Sequence, residues 1–232
     1  MRVVVLALLS AALLPATIIT NADNFTDGLN NQTIGGLHWT SSPGSFQKKL
    51  VAGYTGVGIT GGATGDEIDI NEFLTATAVA PIRVRSFTLG VLFDGPEFND
   101  PQEVTQITIT SLSHGTLSYT LTNSYQPVPP GPDLSIWSGL GTVLNLSPST
   151  GNDAAVWKVS NPFGAIHDIV RIQFTALSGT CGAGPCTNQS DFTLNQIEYE
   201  QVPEAPSAIL LAIGLSGMAL WRLRRRSNSP VL

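Results

Sequence analysis

Carboxylates concentrate at two places in this 232-residue chain. Asp66, Glu67, Asp69 and Glu72 fall within GDEIDINE, and Asp94, Glu97, Asp100 and Glu103 fall within DGPEFNDPQE. Calcium takes six to eight oxygen ligands, so several carboxylates with loop carbonyls would suit a structural calcium ion. Neither stretch matches the EF-hand loop or the calcium-binding nonapeptide repeat. The plain alternative is a solvated acidic loop, with edge charges that discourage aggregation.

Other chemistry has thinner support. Glycoside hydrolysis needs two carboxyl groups at a defined separation in a cleft, and spacing along one chain does not establish that. His38, His114 and His167 are scattered and sit in no nucleophile or zinc motif. Ser216 lies in GLSGM, which lacks the spacing of a nucleophile elbow. The expectation is therefore no catalytic residue and no enzyme activity. Trp39, Tyr54, Tyr125 and Trp137 fall in or beside loop-like segments, where flat rings could stack on sugars, whereas Trp157 alternates with Val159 as a core residue would.

The elements that must position these groups are strands. TLSYTLT places Leu117, Tyr119 and Leu121 on one face. IHDIVRIQF places Ile166, Val170, Ile172 and Phe174 on one face, interrupted by Asp168. VTQITIT and AAVWKVS alternate through Ile107 and Ile109 and through Trp157 and Val159. In IRVRSFTLGVLF the apolar phase moves from Ile82 and Val84 to Phe87, Leu89, Val91 and Phe93, which predicts a bulge near Arg85 and Ser86. Turns rich in Gly, Pro, Asn and Asp separate the runs. About ten short strands without a convincing helix predict an all-β domain, a single antiparallel β-sandwich of jelly-roll kind. Many β-sandwich carbohydrate-binding domains hold calcium between an early strand and the last. By that analogy Asp191, just before the final strand, could join Asp66, Glu67 and Glu72 as ligands.

The two ends have a different character. Residues 1–22 read as a secretory signal peptide: Arg2, an apolar run from Val3 to Leu14, then Pro15 and small or polar residues, with Thr20 and Ala22 placing cleavage after Ala22. Near the other end, Ala208 to Trp221 is an uncharged apolar run of 14 residues, shorter than the roughly 20 usually needed to cross a bilayer. Pro203 and Pro206 precede it, and Arg222, Arg224, Arg225 and Arg226 follow it. Arginines stay on the cytoplasmic side, so everything before Ala208 belongs outside, with transient membrane anchoring by the short helix.

This order of proline break, apolar helix and arginine cluster resembles the PEP-CTERM sorting domain, the tail that exosortase processes in Gram-negative bacteria. Val202, Pro203 and Glu204 match the start of its signature, with Ala205 where a second proline is usual. The resemblance covers about the last 30 residues and carries no activity. It implies an exosortase-type processing enzyme as partner, and an association with exopolysaccharide. Within the interior, GDEIDINEFL, FTLGVLFDGPEFND, NPFG and SDFTLNQIEY are similar to domains found upstream of such tails, and this similarity supplies no catalytic residue.

Export bears on composition. The span 23–201 holds 16 of the 17 acidic residues and 6 of the 11 Lys and Arg, a net charge of −10. A nucleic-acid partner needs a basic face, so that class is disfavoured. Cys181 and Cys186, with four residues between them in TCGAGPCT, are expected to pair as a small-loop disulfide in an exported protein. The reading is a signal peptide (1–22), a β-domain (23–201) and a sorting tail (202–226). The expected role is a structural or adhesive component of the cell envelope or extracellular matrix. A carbohydrate-binding module for exopolysaccharide is the alternative, and a glycoside hydrolase the third reading.

Overall fold

A computed structural model describes residues 16–51, 53–93, 102–124, 134–146, 156–180, 190–202 and 215–216. The chain divides into two units, residues 1–202 and 203–232. In the second unit Leu215 and Ser216 are helical. Among the described residues no helix is long and apolar enough to cross a membrane.

The first unit is all-β. Its strands are β1 (Thr17–Asn21), β2 (Asn31–Ile34), β3 (Leu37–Ser42), β4 (Phe46–Val51), β5 (Tyr54–Ile59), β6 (Phe73–Gly90), β7 (Gln102–Ser111), β8 (Gly115–Ser124), β9 (Leu134–Trp137), β10 (Thr142–Asn145), β11 (Trp157–Ser160), β12 (Ile169–Leu177) and β13 (Thr193–Gln201). Among the described residues these 13 strands belong to one hydrogen-bonded sheet, and their pairings are antiparallel.

The 18-residue β6 organises it. Its first part, Phe73 to Ala78, lies between β3 and β12, and the sheet continues through β7 and β8 to β9. Its last part, Ile82 to Gly90, pairs with β13, and over Ser86 to Leu89 with β11 on the other side. One core serves both arms: Phe87, in the second part of β6, packs edge-on to Trp137 of β9 and Phe174 of β12, with ring centroids 5.4 and 6.1 Å away.

The predicted bulge lies at Arg85. Ser86 pairs with Glu198 and Val84 with the next residue, Tyr199, so Arg85 has no opposite number. That extra residue moves the buried set from Ile82 and Val84 to Phe87 and Leu89. A second bulge corrects the reading of IHDIVRIQF. Ile169 pairs with Ser111 and Arg171 with Thr110, leaving Val170 unpaired. The inward residues are thus Ile169, Ile172 and Phe174, while Val170 is half-buried.

A strand precedes Ala22, the residue after which the sequence places cleavage. Thr17 to Asn21 pair along β13 from Glu200 to Gln196, Thr20 lies 3.4 Å from the Tyr199 hydroxyl, and Ala22 and Phe25 enter the core. Cys181 and Cys186 lie outside the described residues, as do Pro203, Glu204 and the four tail arginines.

Candidate functional site

The first acidic cluster forms a loop between β5 and β6 rather than the start of a strand. Two glycines in β5 let other groups lie against it. A Cβ on Gly58 would stand 2.2 Å from the Asp66 carbonyl oxygen, and one on Gly56 would stand 2.0 Å from Thr193 Oγ1. With no side chain at Gly58, residues 66 and 67 close over the strand, and the Ile59 amide donates to the Glu67 carbonyl at 2.9 Å. The Ile68 amide reaches the Phe192 carbonyl at 2.7 Å, which ties the loop to the segment leading into β13.

Asp66 and Glu67, two of the four residues expected to share one ion, meet the same lysine. Lys49 of β4 donates to Asp66 Oδ1 at 3.1 Å and to Glu67 Oε1 at 2.6 Å. The Glu67 side chain is only 4% exposed, against 28% for Lys49 and 36% for Asp66. Burial works against the Lys49 charge, but the hydrogen bonds and negative charges of Glu67 and Asp66 outweigh it and raise its pKa above the ordinary 10.5. Lys49, absent from the expected site, is thus the cation that these two acids meet.

Glu72 is grouped instead with Asp69. The Asp69 carboxylate accepts from the Thr64 amide at 3.0 Å and from its hydroxyl at 3.2 Å. Glu72 Oε2 accepts from the Asp69 amide at 3.0 Å, and the Glu72 amide donates to the Asp69 carbonyl at 3.1 Å. Asn71 makes this tight turn with φ of 70°, a left-handed conformation that asparagine tolerates better than most residues. Both acids are buried. Burial above all pushes the Glu72 carboxyl above its ordinary value, tempered by the Asp69 amide and, more weakly, the Gly62 amide, with the Asp69 charge adding a smaller push. Asp191 is buried beside Phe192. Among the described residues no three Asp, Glu, His or Cys converge at metal-binding distance.

Of the acids in the second stretch Glu103 lies among the described residues; it is buried and accepts from the Phe93 amide at 2.6 Å. The adjacent Leu92 carbonyl accepts from Asn123 Nδ2 and Trp157 Nε1, each at 2.9 Å. These three bonds fix the chain where Val91 adopts a φ of 65°, a strained conformation for a β-branched residue.

The rings considered for sugar stacking have mostly structural places. Trp39 is fully buried and edge-packed on Phe25. Trp137 is 9% exposed, is stacked on Tyr119, and donates to the Leu140 and Pro162 carbonyls at 2.9 and 3.1 Å. Tyr54 remains exposed, with its hydroxyl 3.2 Å from the Leu146 carbonyl. Tyr125 lies outside the described residues.

One grouping superficially resembles a catalytic triad. Asp168 accepts from the Ser111 hydroxyl and from the Ser113 amide at 2.7 Å, while His114 Nδ1 lies 2.7 Å from Ser113 Oγ and 3.3 Å from Ser111 Oγ. In a triad the acid orients the imidazole and the other ring nitrogen activates serine. Here the carboxylate binds serine and backbone, and both hydroxyls crowd the same ring nitrogen. The geometry is that of a clasp on the β7–β8 turn, and it accounts for the acid that interrupts the β12 pattern.

Burial alone would raise the Asp168 pKa, but its Ser111 and Ser113 hydrogen bonds hold it below the ordinary 3.8. A lowered carboxyl pKa adds stability above the unfolded value and loses it as pH falls through the folded one. Asp168→Ala should therefore cost about 1 kcal/mol at pH 7, a value reduced for partial exposure. Urea unfolding from pH 7 to pH 2 should show the difference from wild type fading at the acid end. An equal loss at every pH would remove the charge from the explanation.

No protein-family model, no curated protein and no solved structure matches this chain.

Proposed function

We propose that this is an exported protein whose β-domain, a two-layer sandwich, acts outside the cell as a structural or adhesive component of the envelope or matrix. Its tail directs sorting by an exosortase-type enzyme. The observation that carries this reading is the order of Pro203 and Pro206, the apolar run to Trp221 and the arginines at 222 and 224–226, all following β13 directly. The division of the chain after Val202 supports it, because a protease would then act beyond the folded strand. The sandwich is supported by the course of β6 through both arms and by the core they share. Burial of Trp39 and Trp137 favours a structural role over a sugar platform built on them.

The pairing of β1 with β13 further favours leader removal at or before Thr17, since cleavage after Ala22 would strip away an ordered strand. Mass spectrometry of native material should find an N-terminus that retains Thr20 and no peptide containing Leu223 to Arg226. Deleting the host's exosortase-type enzyme should restore those C-terminal peptides. An intact C-terminus in the envelope fraction of the unmodified host would replace processing with a plain membrane anchor.

A further inference from the structure

We propose that Asp69 and Glu72 form the acidic half of a divalent-cation site of the calcium class, completed by oxygens of the glycine-rich loop from Thr60 to Gly65. Both side chains are almost wholly buried, at 3% and 2% exposure. Glu72 Oε1 is buried without a hydrogen-bond partner, although Oε2 of the same group is engaged by the Asp69 amide. A buried, unpaired carboxylate oxygen is costly unless something positive reaches it.

Among the described residues no side chain supplies such a group. Lys49, the base serving the other end of this loop, is held by Asp66 and Glu67. The Gly62 amide tempers the Glu72 carboxyl, but no hydrogen bond of ordinary geometry reaches Oε1.

Two buried carboxyl groups in one turn can be relieved by a shared proton or by a cation. A shared proton requires a direct hydrogen bond between them. No hydrogen bond joins the Asp69 and Glu72 side chains, although Glu72 Oε2 sits 3.0 Å from the Asp69 amide. Two buried carboxylates in one turn with no bond between them suit an ion that binds each at about 2.3–2.6 Å. Carbonyls of the loop and water would complete the six to eight oxygens that calcium takes. This site differs from the set expected in the sequence: it retains Glu72, adds Asp69 and leaves Asp66 and Glu67 to Lys49.

The test uses the purified full-length chain, freed of metal with chelator and titrated with calcium chloride to about 10 mM at constant ionic strength, a hundredfold above a tight extracellular-type Kd. The melting temperature should rise by roughly 5–10 °C at that saturation, with sodium alone giving no comparable change. The rise should vanish in Glu72→Gln, which preserves shape and an acceptor for the Asp69 amide, and in Asp69→Asn. It should persist in the remote Asp168→Asn. Calorimetric titration gives a second readout if Asp69→Asn fails to fold, because Glu72→Gln alone should abolish the binding heat. Unchanged melting in calcium and in chelator would overturn the site, as would a rise that survives intact in Glu72→Gln. A melting temperature that ignores calcium but climbs from pH 7 to pH 5 would also overturn it, identifying a proton as the neutralising ion.

Discussion

Phe87→Ala should lower stability by about 3–5 kcal/mol, the range for removing a buried aromatic ring from a packed core. The ring is 1% exposed and touches Trp137, Phe163 and Phe174, which come from three separate parts of the chain. It lies just past the Arg85 bulge, where β6 carries its buried face into the second arm. A single domain has only about 5–15 kcal/mol in hand, so the variant should be marginal at 37 °C. Urea midpoints for Phe87→Ala and Phe87→Leu separate ring loss from general disturbance, since leucine refills much of the volume and should cost far less. A loss below about 1 kcal/mol for alanine would mean that the two arms of β6 do not depend on one core.

Lys49→Met should cost about 2–3 kcal/mol at pH 7, because it leaves the buried Glu67 without its cation. The estimate lies below the value for a fully buried pair, since Lys49 and Asp66 retain contact with water. Glu67→Met in the same background should recover most of the loss, because removing both charges removes the unpaired one. A double-mutant cycle in urea measures this coupling, and strictly additive losses would dissolve the pair as a unit. The pH dependence has a definite sign. A lysine pKa raised on folding contributes fully below the unfolded value of 10.5, and that contribution is lost as pH rises through the folded value. The wild-type advantage over Lys49→Met should therefore hold at neutral pH and shrink only in strong alkali.

Much of the β-domain was legible because strand side chains repeat every two residues. Ile107, Ile109, Trp157 and Val159 are buried as their alternation predicts, and the phase change in β6 located the Arg85 bulge. The Val170 bulge escaped the same reasoning, since Ile169 and Val170 are both apolar and either phase fits the pattern. Local turn chemistry likewise marks GGATGD as a turn, though not which carboxylates it would enclose. The layout of the tail is also purely sequential: prolines, apolar run and arginines are read from their order.

What the tertiary structure decided is pairing across distance. Lys49 meets Asp66 and Glu67 through the fold of β5 and its following loop, 17 and 18 residues away. Asp168 reaches Ser111 across 57 residues, and Tyr199 reaches the Gly35 carbonyl across 164. Hydrophobic periodicity reports which face of a strand is buried. It says nothing about which strand lies alongside, because that depends on register and on the order of β3, β6, β12 and β13 in the sheet. For the same reason Trp39 and Trp137 read as loop-side rings in the sequence and are core residues in the fold. The acids around residue 69 were visible as a cluster from the start. Their division into a lysine-bound pair and a buried pair with an unpaired oxygen came only from the way β4 and the glycine loop pack together.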